Sequence, residues 1–226
     1  SVQAAIGAVN AVAFDISAAC AGFIFAMNIV EGFFKAGIYK TALIIGAETL
    51  SKVTDWSDRG TCVLFGDGAG AAVLKAEETG IIDMMMGADG TKGDVLACTS
   101  RTVGNFLTGT KPELGFMTMD GQEVFKFAVR KVPESVMELL QRTGTKKEDI
   151  KYYVLHQANE RIIEAAARRL KEPMEKFPMT IGQFGNTSTA SIPLLLDDMI
   201  QKDMLKRGDK IIMSGFGAGM TWGAVL

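Results

Sequence analysis

Three times along this 226-residue chain a short apolar run gives way to a knot of small or polar residues and then to a helical pattern. The first runs Ala11 to Ile16, then Ser17-Ala18-Ala19-Cys20-Ala21-Gly22, then Phe23 to Val30. The second is Tyr152 to Leu155 followed by His156-Gln157-Ala158-Asn159, and the third is Met179 to Phe184, then Gly185-Asn186-Thr187-Ser188, then Ala190 to Leu196. Junctions from strand to helix define α/β architectures, in which ligands gather beyond the carboxyl ends of the strands. Each junction carries one chemically competent group: a thiol, the single imidazole of the chain, and a carboxamide.

Each group also has a bland reading on its own. A free cysteine is among the most buried residue types, so Cys20 fits a core position as well as a nucleophile. If it opens a helix, the unpaired amides and positive dipole end there favour the thiolate. His156 could cap a buried strand edge, yet it is also the one side chain that titrates near neutrality without perturbation. Asn186 suits an ordinary N-cap.

Composition bounds the alternatives. Apolar residues make up 48% and charged residues 22%, which fits a packed globular protein, and the net charge of −2 gives no bulk case for nucleic-acid binding. The uncharged apolar stretch Ile16 to Val30 is shorter than the roughly 20 residues needed to span a bilayer, so no membrane segment is expected. No secretory signal is evident. Cys20, Cys62 and Cys98 are odd in number and too far apart to chelate, which argues against a disulfide framework and against a metal site. A reducing cytoplasm is the expected compartment.

The pattern predicts strands at 11–16, 41–47, 62–66, 70–75, 80–87, 151–156, 178–184, 210–215 and 221–226, and helices at 17–36, 120–142, 159–170 and 188–202. Asp120 with Glu123 and Thr145 with Glu148 read as capping boxes, and Pro133 is expected to bend or divide its helix. Phe65-Gly66-Asp67-Gly68-Ala69-Gly70-Ala71 misses the spacing of a dinucleotide loop and reads as a tight hairpin. The order Cys20, helix, Lys40 to Gly46, Gly68 to Leu74 is echoed by Asn186, helix, Lys210 to Gly215, Gly217 to Leu226, as in two equivalent halves.

Taken together, Ser17-Ala18-Ala19-Cys20-Ala21-Gly22-Phe23, His156-Gln157-Ala158-Asn159 and Gly185-Asn186-Thr187-Ser188 closely resemble β-ketoacyl-acyl-carrier-protein synthase III of the thiolase superfamily. Asp58-Arg59-Gly60-Thr61, Phe65 to Ala71, Gly121 to Lys126 and Gly217 to Trp222 extend the resemblance along the chain. It implies an α/β, thiolase-like duplicated αβαβα layered fold with the first half incomplete: 1–110 would be the remainder of an N-terminal half carrying Cys20, and 111–226 a C-terminal half carrying His156 and Asn186. An unfinished sheet and an open site wall are then expected.

The resemblance also implies the chemistry. An acyl-CoA, with acetyl-CoA as the expected primer, would acylate Cys20, and malonyl-acyl carrier protein would lose CO2 and condense with the acyl group. His156 and Asn186 would hold the enolate oxygen through neutral donors, and the backbone N–H groups of Cys20 and Ala218 the second oxyanion. Arg59 would pack on the adenine of coenzyme A, with Gly121, Ala158 and Asn159 lining its pantetheine tunnel; coenzyme A is substrate, and no cofactor is implied. Lys126, Arg161, Arg168 and Arg169 would dock the acidic carrier protein, although Glu164 can simply pair with Arg168 along the helix. A homodimer is implied too, with the segment before Cys20 as a contact. A thiolase is disfavoured because Gly215-Phe216-Gly217-Ala218-Gly219-Met220 lacks a second cysteine. A polyketide-type synthase or a noncatalytic acyl-binding subunit of this fold are the alternatives.

Overall fold

The computed structural model describes residues 2–98, 104–112 and 115–226. In chain order the elements are α1 (Val2–Ala5), α2 (Gly22–Lys35), β1 (Thr41–Glu48), β2 (Gly68–Lys75), β3 (Met84–Ala88), β4 (Leu96–Cys98), β5 (Met117–Met119), α3 (Gly121–Thr143), β6 (Ile150–Leu155), α4 (Glu160–Leu170), α5 (Ile181–Phe184), α6 (Ser191–Gln201), β7 (Lys210–Gly217) and β8 (Thr221–Val225). β3, β8, β7 and β6 form one sheet in that order, with β6 and β7 parallel and the other pairs antiparallel. β1 and β2 form a separate antiparallel pair, and β4 and β5 another.

Side-chain alternation along the four-stranded sheet builds two cores. Tyr153, Leu155, Ile212, Phe216 and Ala224 face α3 and α4, joining Phe127, Val136, Leu139, Ile163 and Leu170. Val154, Met213 and Val225 point the other way and pack with Phe23, Ile24 and Met27 of α2 and Ile192, Leu195 and Met199 of α6. Ile44, Ala42, Ala72 and Leu74 of β1 and β2 close on the far side of the same cluster. α2 and α6 thus form a central layer between two sheets, which requires helices apolar around most of their circumference. α3 and α4 cover the outer face of the larger sheet. The stack is helices, sheet, helices, sheet, a thiolase-like layering.

The two halves match in detail. α2 and α6 are each entered through a 3-10 turn, Ala19–Ala21 and Ser188–Ala190, and each is followed by an antiparallel strand pair. Ala19 (φ 44) and Ser188 (φ 51) open these turns in the left-handed region that non-glycine residues rarely occupy. The same sequence interval separates Ala19 from Ser188, Cys20 from Thr189, and Gly46 in β1 from Gly215 in β7.

Several expectations are corrected. Residues 11–16 form no strand: among the described residues no neighbouring strand takes their backbone bonds, and Val12, Phe14 and Ile16 are exposed. Residues 62–66 form no strand: 62–64 are turns, with Cys62 N–H donating to Asp58 O and Leu64 N–H to Thr61 O, and Phe65 makes a single isolated bridge. The hairpin at 65–71 does not form, because β2 pairs with β1; a Cβ on Gly66 would lie 2.2 Å from Phe184 O and one on Gly70 2.9 Å from Pro193 Cβ, so these glycines serve close packing rather than a turn. Residues 178–184 are not a strand either, since Ile181–Phe184 makes one helical turn on the Thr180 carbonyl. The strand expected at 80–87 begins only at Met84.

Pro133 neither ends nor divides α3, which runs through it for 23 residues. A proline N lacks the hydrogen that would reach the carbonyl four residues back, and that carbonyl, Val129 O, accepts from Arg169 Nη1 at 3.2 Å instead. Asp120 caps α3 by accepting from Gln122 and Glu123 N–H, but Glu123 turns to Lys92 and Lys126, so the capping box is half made. Thr145 and Glu148 make none, as the 3-10 turn Lys147–Asp149 has no side-chain cap.

Leu195, fully buried in the central layer, should cost about 2–5 kcal/mol when cut to alanine. Ile45, 41% exposed on the outer face of β1, should cost under about 1 kcal/mol. Urea unfolding of the two variants against the parent checks the layering; equal losses would contradict it.

Candidate active site

Cys20, His156 and Asn186 line one cavity of about 190 Å³, together with Gly60, Leu64, Phe65, Gly121, Phe125, Ala158, Asn159, Phe216 and Gly217. Three side chains from three distant junctions therefore converge. Leu64, Ala158 and Asn159 also line a second, more open cavity of about 340 Å³ with Val63, Glu160, Arg161, Ile181, Gly182 and Gly185, so the buried site adjoins a passage to the surface.

Cys20 sits in the 3-10 turn that leads into α2, as the junction predicts, and is 8% exposed. Its turn is braced by two threonines from the later part of the chain: Thr189 Oγ1 donates to Ala19 O at 2.8 Å and Thr221 Oγ1 to Ala18 O at 3.2 Å. A Cβ on Gly217 would lie 2.6 Å from Cys20 N, so only glycine lets β7 pass beneath Cys20. The expected lowering of the thiol pKa is overturned: burial raises it to about 11, against the opposing pull of the Ser188 hydroxyl and the cysteine's own N–H, with the Glu48 charge adding to the rise. Desolvation of a thiolate outweighs one helix terminus.

His156 directly follows β6, where its N–H donates to Ser214 O at 2.8 Å. The ring is 2% exposed, packs edge-on to Phe216 with centroids 5.4 Å apart, and has Nδ1 2.6 Å from Ser191 Oγ. Burial lowers its pKa to about 3, so it is neutral at physiological pH. The following helix begins later than expected, at Glu160, with Asn159 as its cap accepting from Arg161 N–H. Gln157, also buried, ties Leu155 O to Thr180 N–H and so joins the histidine strand to the segment that leads to Asn186.

Asn186 is fixed through its backbone and side chain. Its N–H donates to Leu64 O at 2.8 Å and its carbonyl accepts from Gly66 N–H at 2.9 Å, a parallel bridge beside Phe65. Its Oδ1 accepts from Ser188 N–H at 2.9 Å, which settles the amide orientation and leaves Nδ2 as a free donor group.

The outer positions are less uniform. Arg59 and Gly121 are exposed, with Gly121 on the wall of the inner cavity. Ala158 and Asn159 line both cavities and Arg161 the outer one. Ala218 follows Gly217 at the end of β7 and accepts from Thr221 Oγ1. Lys126 pairs with Glu123 at 2.8 Å, and Arg168 with Glu164 at 3.7 Å. Arg169 is committed to Val129 O and to Glu134 at 4.0 Å. Ser188, Ser191, Glu48 and Gln157 escaped the sequence reading, because their value lies in contacts across the fold; only the nearness of Ser188 and Ser191 to Asn186 hinted at them.

Layered fold and buried thiol, imidazole and carboxamide together define a thiolase-like condensing enzyme. Residues 14–90 match the family described as 3-Oxoacyl-[acyl-carrier-protein (ACP)] synthase III, and residues 140–226 match its C-terminal counterpart. β-Ketoacyl-[acyl-carrier-protein] synthase III of Clostridium novyi (strain NT) is 53% identical over 227 residues, covering 100% of this chain and 70% of that protein. The crystal structure of 3-oxoacyl-[acyl-carrier-protein] synthase III from Aquifex aeolicus VF5 superposes with a TM-score of 0.90 at 45% identity, covering 99% of this chain and 69% of that one. The structure from Pseudomonas aeruginosa PAO1 gives 0.94 at 38%, covering 99% and 70%. The chain belongs to the β-ketoacyl-acyl-carrier-protein synthase III family, whose condensation initiates fatty acid synthesis.

The buried neutral imidazole has a consequence for stability. In the unfolded chain His156 takes up a proton as pH falls below about 6.5, whereas the folded site resists it until about 3, so unfolding free energy falls with pH across that window. The loss from this group between pH 7 and 5 should reach about 2 kcal/mol. Urea unfolding of the parent and of His156→Gln at the two pH values tests it; an equal acid limb in both would refute the assignment.

Proposed function

We propose that Cys20 is the acyl-carrying nucleophile of the initiating condensation, with His156 and Asn186 as the donors that stabilise the malonyl-derived enolate. The convergence of the three groups on one cavity carries this reading. Cys20 Sγ attacks the carbonyl of an acyl-CoA; the C–S bond to coenzyme A breaks and its thiolate takes up the proton that the cysteine loses. Malonyl thioester then loses CO2, and the electron pair of the broken C–C bond becomes an enolate whose oxygen meets His156 Nε2–H and Asn186 Nδ2–H. The enolate carbon attacks the acyl-cysteine, the C–S bond to Cys20 breaks, and the departing thiolate takes up a proton from water. The backbone N–H groups of Cys20 and Ala218 are assigned to the oxyanion of the two acyl-transfer steps.

Arg59 is assigned to the adenine of coenzyme A, and Gly121, Ala158 and Asn159 to its pantetheine arm; the last three line the inner cavity, which supports that course. Malonyl-acyl carrier protein is the second substrate, docking on Lys126, Arg161, Arg168 and Arg169. Arg161 at the outer cavity leads that group, since Arg169 is already engaged within the fold. No cofactor is called on. The halves are assigned as 1–110 and 111–226, with β3 crossing from the first to the sheet of the second, a division supported by the two matched segments. A homodimer in a reducing cytoplasm completes the reading, and exposed Val12, Phe14 and Ile16 ahead of Cys20 supply an apolar surface for it.

Mass spectrometry of the full-length protein after incubation with acetyl-CoA should find one acyl group on Cys20 and none in Cys20→Ser. His156→Ala and Asn186→Ala should keep the adduct while malonyl decarboxylation falls about 10²–10³-fold. Full condensation by Asn186→Ala would refute its role, and a folded parent without adduct would favour a noncatalytic acyl-binding subunit. Carrier-protein affinity should fall with added salt and fall about tenfold or more in Arg161→Glu; indifference to both would remove the docking assignment.

A further inference from the structure

We infer that Ser191 is a positioning residue whose hydroxyl donates to His156 Nδ1, and so holds the imidazole in the one tautomer that presents Nε2–H to the cavity. The inference rests on the donor role proposed for His156 and explains how that role is enforced.

Ser191 is the first residue of α6 and is 2% exposed, as is His156, while Gln157 is 1% exposed. Ser191 Oγ lies 2.6 Å from Nδ1 and 3.3 Å from the backbone nitrogen of Gln157. The second contact has one direction only, because a backbone N–H can only donate; the serine oxygen is its acceptor. The hydroxyl hydrogen is then left to be placed. Among the described residues Ser191 Oγ has no other hydrogen-bond partner, so Nδ1 is the one acceptor within reach. If Nδ1 carried the proton instead, Ser191 would accept twice and its own O–H would be buried without an acceptor, a cost of the kind folded proteins avoid. Gln157, next to the histidine in sequence, thus biases the serine, and the serine biases the ring. Burial keeps the imidazole neutral, so it holds a single N–H and the choice of nitrogen matters. With Nδ1 accepting, that hydrogen is on Nε2.

Histidine-labelled full-length protein, with its ¹⁵N signals assigned by their loss in His156→Ala, reads the tautomer directly. The expected parent spectrum has a protonated Nε2 and an unprotonated, hydrogen-bonded Nδ1. Ser191→Ala should populate Nδ1–H and slow malonyl decarboxylation about tenfold or more, while acetyl transfer to Cys20 persists. Ser191→Thr, which keeps the hydroxyl, should restore tautomer and rate. A protonated Nδ1 in the parent overturns the inference whatever the variants do, and so does an unchanged tautomer in Ser191→Ala. A changed tautomer with an undiminished decarboxylation rate would instead refute the donor role of His156.

Discussion

The fold depends on the back-to-back contact of two helix entrances. The turns into α2 and α6 meet in the central layer, where Thr189 donates to Ala19 O beside Cys20 and β7 closes beneath at Gly217. Cys20 and Asn186 are far apart along the chain, yet each sits on one of these turns or just before it, so a single packing contact fixes their separation. A loop-borne nucleophile would have to be ordered on binding. Here the ordering is done by two apolar helices that cannot leave the core without exposing Phe23, Ile24, Leu195 and Met199 to water.

Pseudo-symmetry then decides what each half contributes. Cys20 and Thr189 occupy equivalent positions, but only the first carries a thiol; its counterpart spends its side chain on the neighbour's backbone. Both entry turns open on a left-handed residue, Ala19 and Ser188. Strain of that kind costs of order 1–3 kcal/mol per residue and persists where surrounding packing over-determines it. The duplicated entry therefore aims two different groups, a thiol and a carboxamide, into one space.

Much of this was legible in the sequence because the reacting groups sit in short local patterns at element ends. The helices that follow Cys20 and Asn186, the strand that leads to His156, the helix from Asp120 and the strands at 41–47 and 210–215 follow from apolar periodicity and cap residues, whereas the strands expected before Cys20 and Asn186 do not form. What was not legible depends on partners distant in the chain. Residues 62–66 and 178–184 are rich in apolar side chains without belonging to a sheet: Leu64 and Phe65 line the cavity and Met179 packs on the larger core, and an apolar run alone does not distinguish such packing from a buried strand. The glycines at 66 and 70 were read as turn formers although they make room for Phe184 and Pro193. Pro133 is expected to bend or divide its helix, and α3 runs through it undivided with Arg169, on another helix, taking the carbonyl its missing N–H would have met. The Cys20 acidity erred the same way: a helix terminus is visible in sequence, whereas burial is not.

Burial also bears on how the proposed chemistry proceeds. A pocket that holds the imidazole neutral and the thiol protonated carries little charge of its own before substrate arrives. A charged imidazolium would attract the malonyl carboxylate and stabilise the ground state that decarboxylation must leave, whereas neutral N–H donors act on the enolate oxygen as its charge develops. Low local polarity strengthens those donors further, since the field of an N–H dipole is less screened than in water. The raised thiol pKa looks unfavourable for acylation, but it makes the cysteine a resting acid whose proton is available to the departing coenzyme A thiolate. One physical cause, exclusion of water by the central helices and the glycine-rich end of β7, thus serves both half-reactions.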